Sequence, residues 1–517
     1  MDRKEAWPQR SPATTFGEAV VRTAQAQGPD RDSLACMAVQ CWWQEQAAAT
    51  AFGQEVGEAL SLQEVRSLVE EASQKLRLEA AGKKGRYLVA KCALKAGEVI
   101  LSERPLFEGD VEAKRSRKVY SKAFLEKLNP RSPEDQDDAE DNDFEADCFH
   151  PRSPLMDCIA SVLLCKQQVS ASAEEERDKA SLKLRQLGAL CRSASKAEHR
   201  ECVEDLWGAL LPELQAATSQ EELSCILQTL SSNRFGHGNH SIQLMFAGSM
   251  FEHSCLPNCF LGTWPSSTGK STYRALRDIA EGEALSIDYL NFPAGYCPAS
   301  ARAQALAEWS FSCRCPRCQE LPEVERSFLC PTCAQPELCP SRPGGSLQCL
   351  CCGQVPEAAY AARCLQREEE LLRPGSESPA KGRSEIAAPA GIKSDEENLL
   401  GHRHHLVFQA LWQDVEQGPP DEEEEPSAFP KILEALIDGI SKVCREDLHP
   451  TLLNLYHMAA IATSDDLQAQ KTFLEREHTI LRRFYPEEAQ RQDAEIMSLV
   501  QCNGPPKSAT ISLSELD

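Results

Sequence analysis

The sequence has no long apolar run and comparatively little positive charge, and both shortages limit what it can encode. Of its 517 residues, 55 are Lys or Arg against 79 Asp or Glu, which leaves a formal net charge of −24. Because phosphate backbones and anionic lipid headgroups attract basic surfaces, we expect no direct binding to nucleic acid or membrane. No segment approaches the roughly 18 apolar residues of a membrane span, and residues 1–10 lack the apolar stretch of a secretory signal.

Cysteine, by contrast, is abundant, with 24 residues in the chain. Without a secretory signal, so many thiols indicate a reducing compartment, in which they bind metal or lie buried rather than form disulfides. We therefore expect a cytoplasmic or nuclear protein, and we expect a monomer. The chain length and the 42% content of apolar residues allow two to four domains with hydrophobic cores.

Two kinds of apolar spacing alternate along the chain. Helical spacing in residues 16–80, for example at Val65, Val69 and Leu76, predicts a helical N-terminal extension. Residues 85–107 predict two strands around a turn at Lys95, Ala96 and Gly97. Residues 273–276 and 284–289 predict short strands for the same reason.

Helical patterns return in residues 155–230 and 428–500. Between and after these segments the composition changes to Asp, Glu, Pro and Ser, which cannot build an apolar core. Such composition predicts a disordered acidic loop, two linkers and a loose tail at residues 131–147, 374–397, 418–427 and 508–517.

Two short motifs carry the chemistry: FEHSCLPN at residues 251–258 and FSCRCPRC at residues 311–318. The second motif offers three thiols, whereas a structural zinc ion takes four ligands in a tetrahedron, so a fourth ligand must come from elsewhere. Cys255 is the candidate for that fourth ligand. The predicted zinc ligands are Cys255, Cys313, Cys315 and Cys318. Such a site would bring Phe311 beside the loop around His253.

A second metal signal is a pair of C-x-x-C segments separated by fifteen residues, which is typical of a zinc ribbon. The predicted ligands are Cys330, Cys333, Cys349 and Cys352. The alternative is that this loop is merely rich in cysteine, as Cys339 and Cys351 suggest. Since four thiols leave no open coordination position at either site, both zinc ions should be structural.

The ordered set of motifs resembles the SET-domain lysine methyltransferases, in particular the SET- and MYND-domain branch. The resemblance includes GRYLVAKCALKAGEVILSERPLF at residues 85–107, SSNRF at 231–235, FEHSCLPN, IAEGEALSIDYLNF at 279–292 and FSCRCPRC. An ordered set is much more specific than a single motif. The cysteine-rich MYND finger is missing, because residues 108–147 contain no cysteine.

This resemblance implies an α+β protein with a β-rich SET domain, a helical insert, a zinc-bound post-SET segment, a zinc ribbon and a C-terminal helical lobe that is similar to tetratricopeptide repeats. After the extension at residues 1–80, the implied boundaries are 81–109 and 236–297 for the two parts of the SET domain, 110–235 for the loop and insert, 298–320 for the post-SET segment, 321–358 for the ribbon, 359–427 for a helix with linkers and 428–517 for the lobe and tail.

The resemblance also implies an activity: methyl transfer from S-adenosylmethionine to a protein lysine, with Tyr289 as the catalytic tyrosine. The implied cofactor-binding residues are Lys84, Gly85, Arg86, Asn233, Ser249, Glu252, His253 and Phe311. A lysine in an extended basic segment, such as a histone tail, would suit the negative charge of the chain.

Two residues depart from the family pattern: Glu252 stands where the family has Asn, and Tyr87 stands at the second glycine of its GxG motif. Both bear on activity more than on fold. They leave open a catalytically silent SET protein that binds partners through the zinc ribbon and helical lobe. Cofactor binding would distinguish the two hypotheses. A zinc-dependent transcription factor is disfavoured, because the ribbon segment lacks a basic recognition surface.

Several of these residues also have a simpler interpretation when taken alone. His253 would be a core histidine, Tyr289 a packed strand residue and Asn258 a turn residue. His402, His404 and His405 form a possible metal cluster, but no cysteine or paired acid lies nearby in the sequence. We therefore interpret these three histidines as a solvated helix start.

Overall fold

The structure of the chain is a computed structural model. It describes residues 59–81, 85–110, 115–127, 154–171, 173–190, 197–237, 241–262, 269–309, 311–373, 399–416 and 429–491. The predicted acidic loop, both linkers, the tail and residues 16–58 of the predicted extension lie outside these ranges. Among the described helices, none combines the length and apolar character needed to cross a bilayer.

The first described elements are a helix and a hairpin. Helix α1 (Leu62–Ala72) begins at a capping box in which Ser61 and Glu64 satisfy each other's backbone N–H groups. Strand β1 (Leu76–Ala81) then pairs antiparallel with β2 (Gly85–Ala90). The prediction of helix at Leu76 is therefore wrong: Leu76 and Leu78 are buried and Arg77 between them is exposed, which is the period of a strand. The predicted boundary after residue 80 falls inside this hairpin.

Three small sheets follow, and they form the β-rich part of the fold. Strand β9 lies between β3 and β8, β6 lies between β4 and β5, and β7 pairs parallel with β10. The bounds are β3 (Val99–Glu103), β4 (Phe107–Asp110), β5 (Arg234–His237), β6 (Ser241–Leu244), β7 (Glu252–His253), β8 (Cys259–Gly262), β9 (Ser271–Ala275) and β10 (Ser286–Ile287). Strand β10 is shorter than predicted, because the backbone N–H of Tyr289 donates to a histidine side chain instead of a neighbouring strand.

A helical insert separates β4 from β5, as the apolar spacing predicted. Its helices are α2 (Lys122–Lys127), α3 (Pro154–Ala171), α4 (Glu174–Gly188), α5 (Ala197–Ala209), α6 (Pro212–Ala217) and α7 (Gln220–Asn233). Helix α3 packs directly on β4, so closely that a Cβ at Gly109 would lie 1.8 Å from the backbone oxygen of Pro154. Helix α7 begins at a capping box of Ser219 and Glu222 and runs without a gap into β5. The insert and the sheets share one buried core.

The cysteine-rich segment lies between the sheets and the last helices. It contains α8 (Ala299–Leu306), α9 (Pro316–Gln319), the hairpin of β11 (Leu338–Pro340) and β12 (Leu347–Cys349), and α10 (Ala358–Leu371). Its buried side chains form a core of their own around Phe328 and Leu338.

The C-terminal lobe is helical, with α11 (His405–Glu416), α12 (Phe429–Cys444), α13 (Leu453–Ala462) and α14 (Leu467–Phe484). The lobe contacts the sheets directly. Arg483 on α14 donates to the backbone oxygen of Leu276 at 3.1 Å, and Phe484 meets Phe260 on β8 edge to face at 5.3 Å. The contacts leave a cleft between the sheets and the lobe.

Candidate active site and cysteine clusters

The cleft between the sheets and the helical lobe has a volume of about 810 Å³. One wall comes from the end of α7, the turn at Gly248–Met250 and the segment after β10, and the other wall comes from α11, α12 and the residues around α13. Residues of the first wall include Asn233, Ser249, Tyr289 and Trp309, and residues of the second include Trp412, Arg445, Glu446, His449 and Tyr485. Four of the predicted site residues, Asn233, Ser249, Cys255 and Tyr289, therefore line one cavity.

Tyr289 is held in place by both its hydroxyl and its backbone. Its hydroxyl donates to the backbone oxygen of Phe251 at 2.6 Å, and its N–H donates to Nδ1 of His253 at 3.1 Å. Its ring lies 5.1 Å from the ring of His253, 6.0 Å from Trp309 and 6.2 Å from Phe311. Tyr289 thus lines the cleft in one orientation, with its hydroxyl fixed and aromatic rings around it.

His253 links this tyrosine to the cysteines. Its side chain is fully buried, and burial lowers its pKa to about 4, so the ring is neutral near pH 7. Because Nδ1 accepts the N–H of Tyr289, the ring proton is on Nε2, which lies 3.2 Å from Sγ of Cys255. A buried histidine that contacts both groups transmits the position of Cys255 to Tyr289.

Two polar residues of the cleft are positioned by local hydrogen bonds. Asn233, at the end of α7, is buried and donates to the oxygen of Thr229 at 2.7 Å. Ser249 donates to the oxygen of Met245 at 2.6 Å and lies 3.4 Å from the backbone oxygen of Asn233. These two residues, far apart in sequence, are neighbours in the fold.

Sequence reasoning missed the carboxylate that supports the turn at Gly248–Met250. The carboxylate of Glu103 on β3 accepts the N–H groups of Ala247 and Gly248 at 3.1 and 2.5 Å, and burial raises its pKa to about 7. A Cβ at Gly248 would lie 2.0 Å from the hydroxyl of Tyr273, so only glycine fits there. The E-x-P pattern at residues 103–105 was the available signal, but nothing local indicated its partner 144 residues later.

The first cysteine cluster brings together the four sulfurs that the sequence suggested. The sulfurs of Cys255, Cys313, Cys315 and Cys318 lie within 4.8 Å of one another. Sγ of Cys255 is 3.9 Å from that of Cys313 and 3.5 Å from that of Cys318. A tetrahedral zinc ion with Zn–S bonds of about 2.3 Å holds its sulfurs about 3.8 Å apart, so these distances suit zinc.

Two buried arginines accompany this cluster, and sequence reasoning missed both. Arg302 and Arg317 are 0% and 4% exposed, and both donate to Oε1 of Glu325, which is 1% exposed. Arg317 also donates to the backbone oxygen of Cys255 at 3.3 Å, and Nη2 of Arg302 lies 3.7 Å from Sγ of Cys318. Two cations against one carboxylate leave a buried positive charge, which anionic cysteine thiolates would balance.

The second cysteine cluster is built from two similar loops. Sγ of Cys330 is 3.7 Å from that of Cys352, and Sγ of Cys333 is 3.6 Å from that of Cys349, which again suits tetrahedral zinc. Each C-x-x-C is followed by a residue in the left-handed region, Ala334 with φ 56° and Gly353 with φ 72°. In each loop the N–H of that residue donates to the oxygen of the first cysteine at 2.9 Å. The hairpin of β11 and β12 connects the two loops, and Cys349 is the last residue of β12.

The predicted solvated helix start is wrong for two of its three histidines, although a helix does begin at His405. His404 and His405 are 0% and 5% exposed, and Nε2 of each lies 3.4 and 3.3 Å from Oε1 of Glu368 on α10. Arg326 donates to the same carboxylate. His404, His405 and Glu368 form a buried polar cluster, whose acid the sequence could not bring near.

His402 lies apart from this cluster. Its side chain is 34% exposed, and its Nε2 lies 2.8 Å from Oδ2 of Asp438 on α12.

Comparison with known proteins supplies the family of the central region. Residues 85–290 match the family model for the SET domain. These residues form a SET domain. A comparison with curated proteins finds no match.

Among solved structures, the chain is similar to Rubisco LSMT bound to AdoMet, with 11% identity, a TM-score of 0.31, and coverage of 86% of this chain and 97% of that one. It is also similar to the SET domain of LSMT bound to lysine and AdoHcy, with 10% identity, a TM-score of 0.31 and the same two coverages. Rubisco LSMT bound to sinefungin and monomethyllysine gives 10% identity, a TM-score of 0.29, and coverage of 80% and 94%.

Three of the remaining predicted cofactor-binding residues, Gly85, Arg86 and Glu252, lie on short strands of the SET domain. Gly85, with φ +74°, begins β2, and Arg86 follows it. Glu252 lies beside His253 on β7, whose backbone pairs with β10. The ring of Phe311 lies 5.7 Å from that of His253. Lys84 is outside the described residues.

Asn258 joins the two segments of the SET domain that carry Cys255 and Tyr289. It is 3% exposed, and its amide donates to Oε1 of Glu283 at 2.9 Å and to the oxygen of Ala284 at 2.8 Å. Its Oδ1 accepts the N–H of Ser286 at 2.9 Å. Asn258 thus connects the loop of residues 254–258 to the strand before Tyr289, which is more than a turn residue does.

Proposed function

We propose that this protein is an S-adenosylmethionine-dependent protein-lysine N-methyltransferase of the SET- and MYND-domain branch, without a MYND finger. The observation that carries the proposal is the fixed hydroxyl of Tyr289 in a cleft of the SET domain, beside Asn233 and Ser249. The aromatic rings around it suit a narrow channel that admits an amine and little water.

S-adenosylmethionine, when bound, supplies a methyl group on a cationic sulfonium. The residues that would hold it are Gly85, Arg86, Asn233, Ser249, Glu252, His253 and Phe311, together with Lys84. One observation supports the fit: a Cβ added at Gly85 meets no heavy atom within 4 Å, so the backbone there borders open space. Glu252, in place of the family's Asn, would offer a carboxylate to the cofactor's ammonium group.

The substrate lysine must lose a proton before its amine becomes a nucleophile. With an ordinary pKa near 10.4, only on the order of one amine in a thousand is neutral at pH 7.4. The apolar rings of Tyr289, Trp309 and Phe292 at the cleft disfavour an ammonium ion and would lower that pKa. The role of Tyr289 is to orient the reacting groups and to exclude water.

We further propose one structural zinc ion in each cysteine cluster. The sulfur spacings support four-thiolate zinc at both sites, and the two buried arginines support it at the first. The helical lobe, which we expect to be similar to tetratricopeptide repeats, would cover a protein substrate. The proposed locations are the cytoplasm and the nucleus, and the proposed state is a monomer.

The decisive experiment is methyl transfer by the purified full chain from labelled S-adenosylmethionine to proteins of a cell lysate. Tyr289→Phe should lower the transfer rate on the order of 100-fold, because it removes the fixed hydroxyl of Tyr289, and should change cofactor affinity little. Tyr360→Phe is the matched control, since Tyr360 also donates to a backbone oxygen, that of Leu329, but lies outside the cleft.

Unchanged transfer in Tyr289→Phe would remove the role of this tyrosine. Calorimetry with S-adenosylmethionine addresses the cofactor directly. If folded, zinc-loaded protein bound none, a catalytically silent scaffold that binds partners through the ribbon and helical lobe would replace the proposed enzyme.

A further inference from the structure

The charge of the cleft differs in sign from the charge of the chain. The chain has a net charge of −24, yet three arginines line the cleft against two acids. The arginines are Arg234, Arg277 and Arg445, and the acids are Asp288 and Glu446. The number of charges alone does not decide the local field, because each group can be paired or buried.

Glu446 is compensated within the fold, because its Oε1 accepts a hydrogen bond from Nη1 of Arg483 at 2.7 Å. The Asp288 side chain accepts the N–H of Leu290 at 3.0 Å, and burial raises its pKa. His449, the other titratable group at this wall, has its pKa lowered to about 4 by burial and is neutral. Among the described residues that line the cleft, Asp288 is therefore the one acid whose charge no lysine or arginine pairs with.

The positive charges of the three arginines are balanced less completely by acidic partners. Arg277 pairs with Glu283 at 2.7 Å but remains 54% exposed. Arg234 and Arg445 have no ion pair within the part of the chain that the structure describes. They lie on opposite walls, Arg234 next to Asn233 and Arg445 on the helical lobe. A substrate chain in the cleft would thus pass between two uncompensated cations.

Arg445 also has an unusual backbone. It follows the last residue of α12 and adopts φ 58°, a conformation that helix ends normally give to glycine or asparagine. A residue with a Cβ pays about 1 kcal/mol for this conformation. Its side chain is exposed, so packing does not explain the choice of residue.

We infer that the cleft selects a lysine flanked by acidic residues and disfavours a lysine in a polybasic segment. The inference rests on the proposed methyltransferase activity and names the class of its substrate. It replaces the expectation of a basic segment, which depended on the charge of the whole chain. Carboxylates on either side of the target lysine would pair with Arg445 and Arg234, whereas flanking lysines or arginines would be repelled.

The test uses the full chain and three short peptides that share one central lysine and differ only in flanks of Asp and Glu, of Ser and Gln, or of Arg. We expect kcat/KM to decrease in that order, with the acidic peptide roughly tenfold above the basic one, and the difference to shrink at high salt. Arg445→Glu should reduce the acidic-to-basic ratio roughly three- to tenfold, since it exchanges attraction for repulsion. Lys431→Glu is the control, because Lys431 is exposed on the same helix but outside the cleft.

Equal or faster transfer to the basic peptide would overturn the inference and leave the proposed enzyme intact. So would an acidic preference that Arg445→Glu and Lys431→Glu reduce equally, because the preference would then come from overall charge. No transfer to any peptide or to lysate protein would instead refute the proposed function, and the inference with it.

Discussion

Each of the two cysteine clusters offers four thiols, and the distances between their sulfurs are similar, but the two clusters are built in different ways. The first joins Cys255 to Cys313, 58 positions later in the chain, and it contacts His253 and two buried arginines, which share a buried glutamate. The second is contained in residues 330–352 and is held by one hairpin.

The two clusters differ in what their cysteines contact. Because His253 contacts both Cys255 and Tyr289, a change at the first cluster reaches the cleft through two contacts. The second cluster has its own small core around Phe328 and Leu338. A long-range cluster thus shapes a site, whereas a local one stabilises the segment that contains it.

The largest difference between the two clusters should appear when one thiol is removed from each. We expect Cys255→Ser and Cys330→Ser each to retain one zinc ion instead of two, since a structural site loses roughly 10 kcal/mol of metal-binding free energy when its ligand set is broken. Only Cys255→Ser should lose S-adenosylmethionine binding. Elemental analysis and calorimetry measure the two effects. Normal cofactor binding by Cys255→Ser would show that the first cluster does not shape the cleft.

The buried arginines also distinguish the two clusters, because the contacts described for the cysteines of the second cluster include no arginine. Arg302→Met leaves buried Glu325 with Arg317 alone, and we expect it to lower the free energy of unfolding by about 3 kcal/mol. It should also speed zinc loss from the first cluster only. Urea denaturation and chelator kinetics measure both.

The double variant Arg302→Met with Glu325→Gln is the control for this prediction. It removes the carboxylate to which Arg317 still donates in the single variant and leaves Arg317 as a buried cation, so it should be less stable than the single variant. A double variant as unstable as the single one would mean that Arg302 acts through packing.

The smallest expected effects lie inside the second cluster, where the residue after each C-x-x-C is Ala334 in one loop and Gly353 in the other. Gly353→Ala should destabilise the ribbon by about 1 kcal/mol, because Gly353 has φ 72° and a Cβ there would meet open space, so that backbone strain alone acts. Ala334→Gly should stabilise it by a similar or smaller amount, since Ala334 bears that strain now. Thermal unfolding of the zinc-loaded chain measures both. Stability changes of the same sign in the two variants would contradict the explanation by backbone strain.

The residue order alone indicated which cysteines meet in the first cluster and which domain carries them. The count of thiols in C-x-C-x-x-C required a fourth ligand, and Cys255 does lie with Cys313, Cys315 and Cys318. The ordered motifs predicted a SET domain, which the family match at residues 85–290 confirms. The cysteine motifs can be recognised in this way because the number and spacing of candidate ligands are properties of short segments.

What the order of residues could not reveal is which charges the fold would bury and pair. Nothing in the order of residues indicated that Arg302, Arg317 and Glu325 are buried together. His404 and His405 were interpreted as a solvated helix start, whereas a distant segment supplies their partner Glu368. The sign of the charge in the cleft likewise depended on Arg483 reaching Glu446 from another helix. The physical reason is common to all three: burying a charge costs several kcal/mol unless an opposite charge arrives with it, and that partner is chosen by tertiary packing and not by neighbours in sequence.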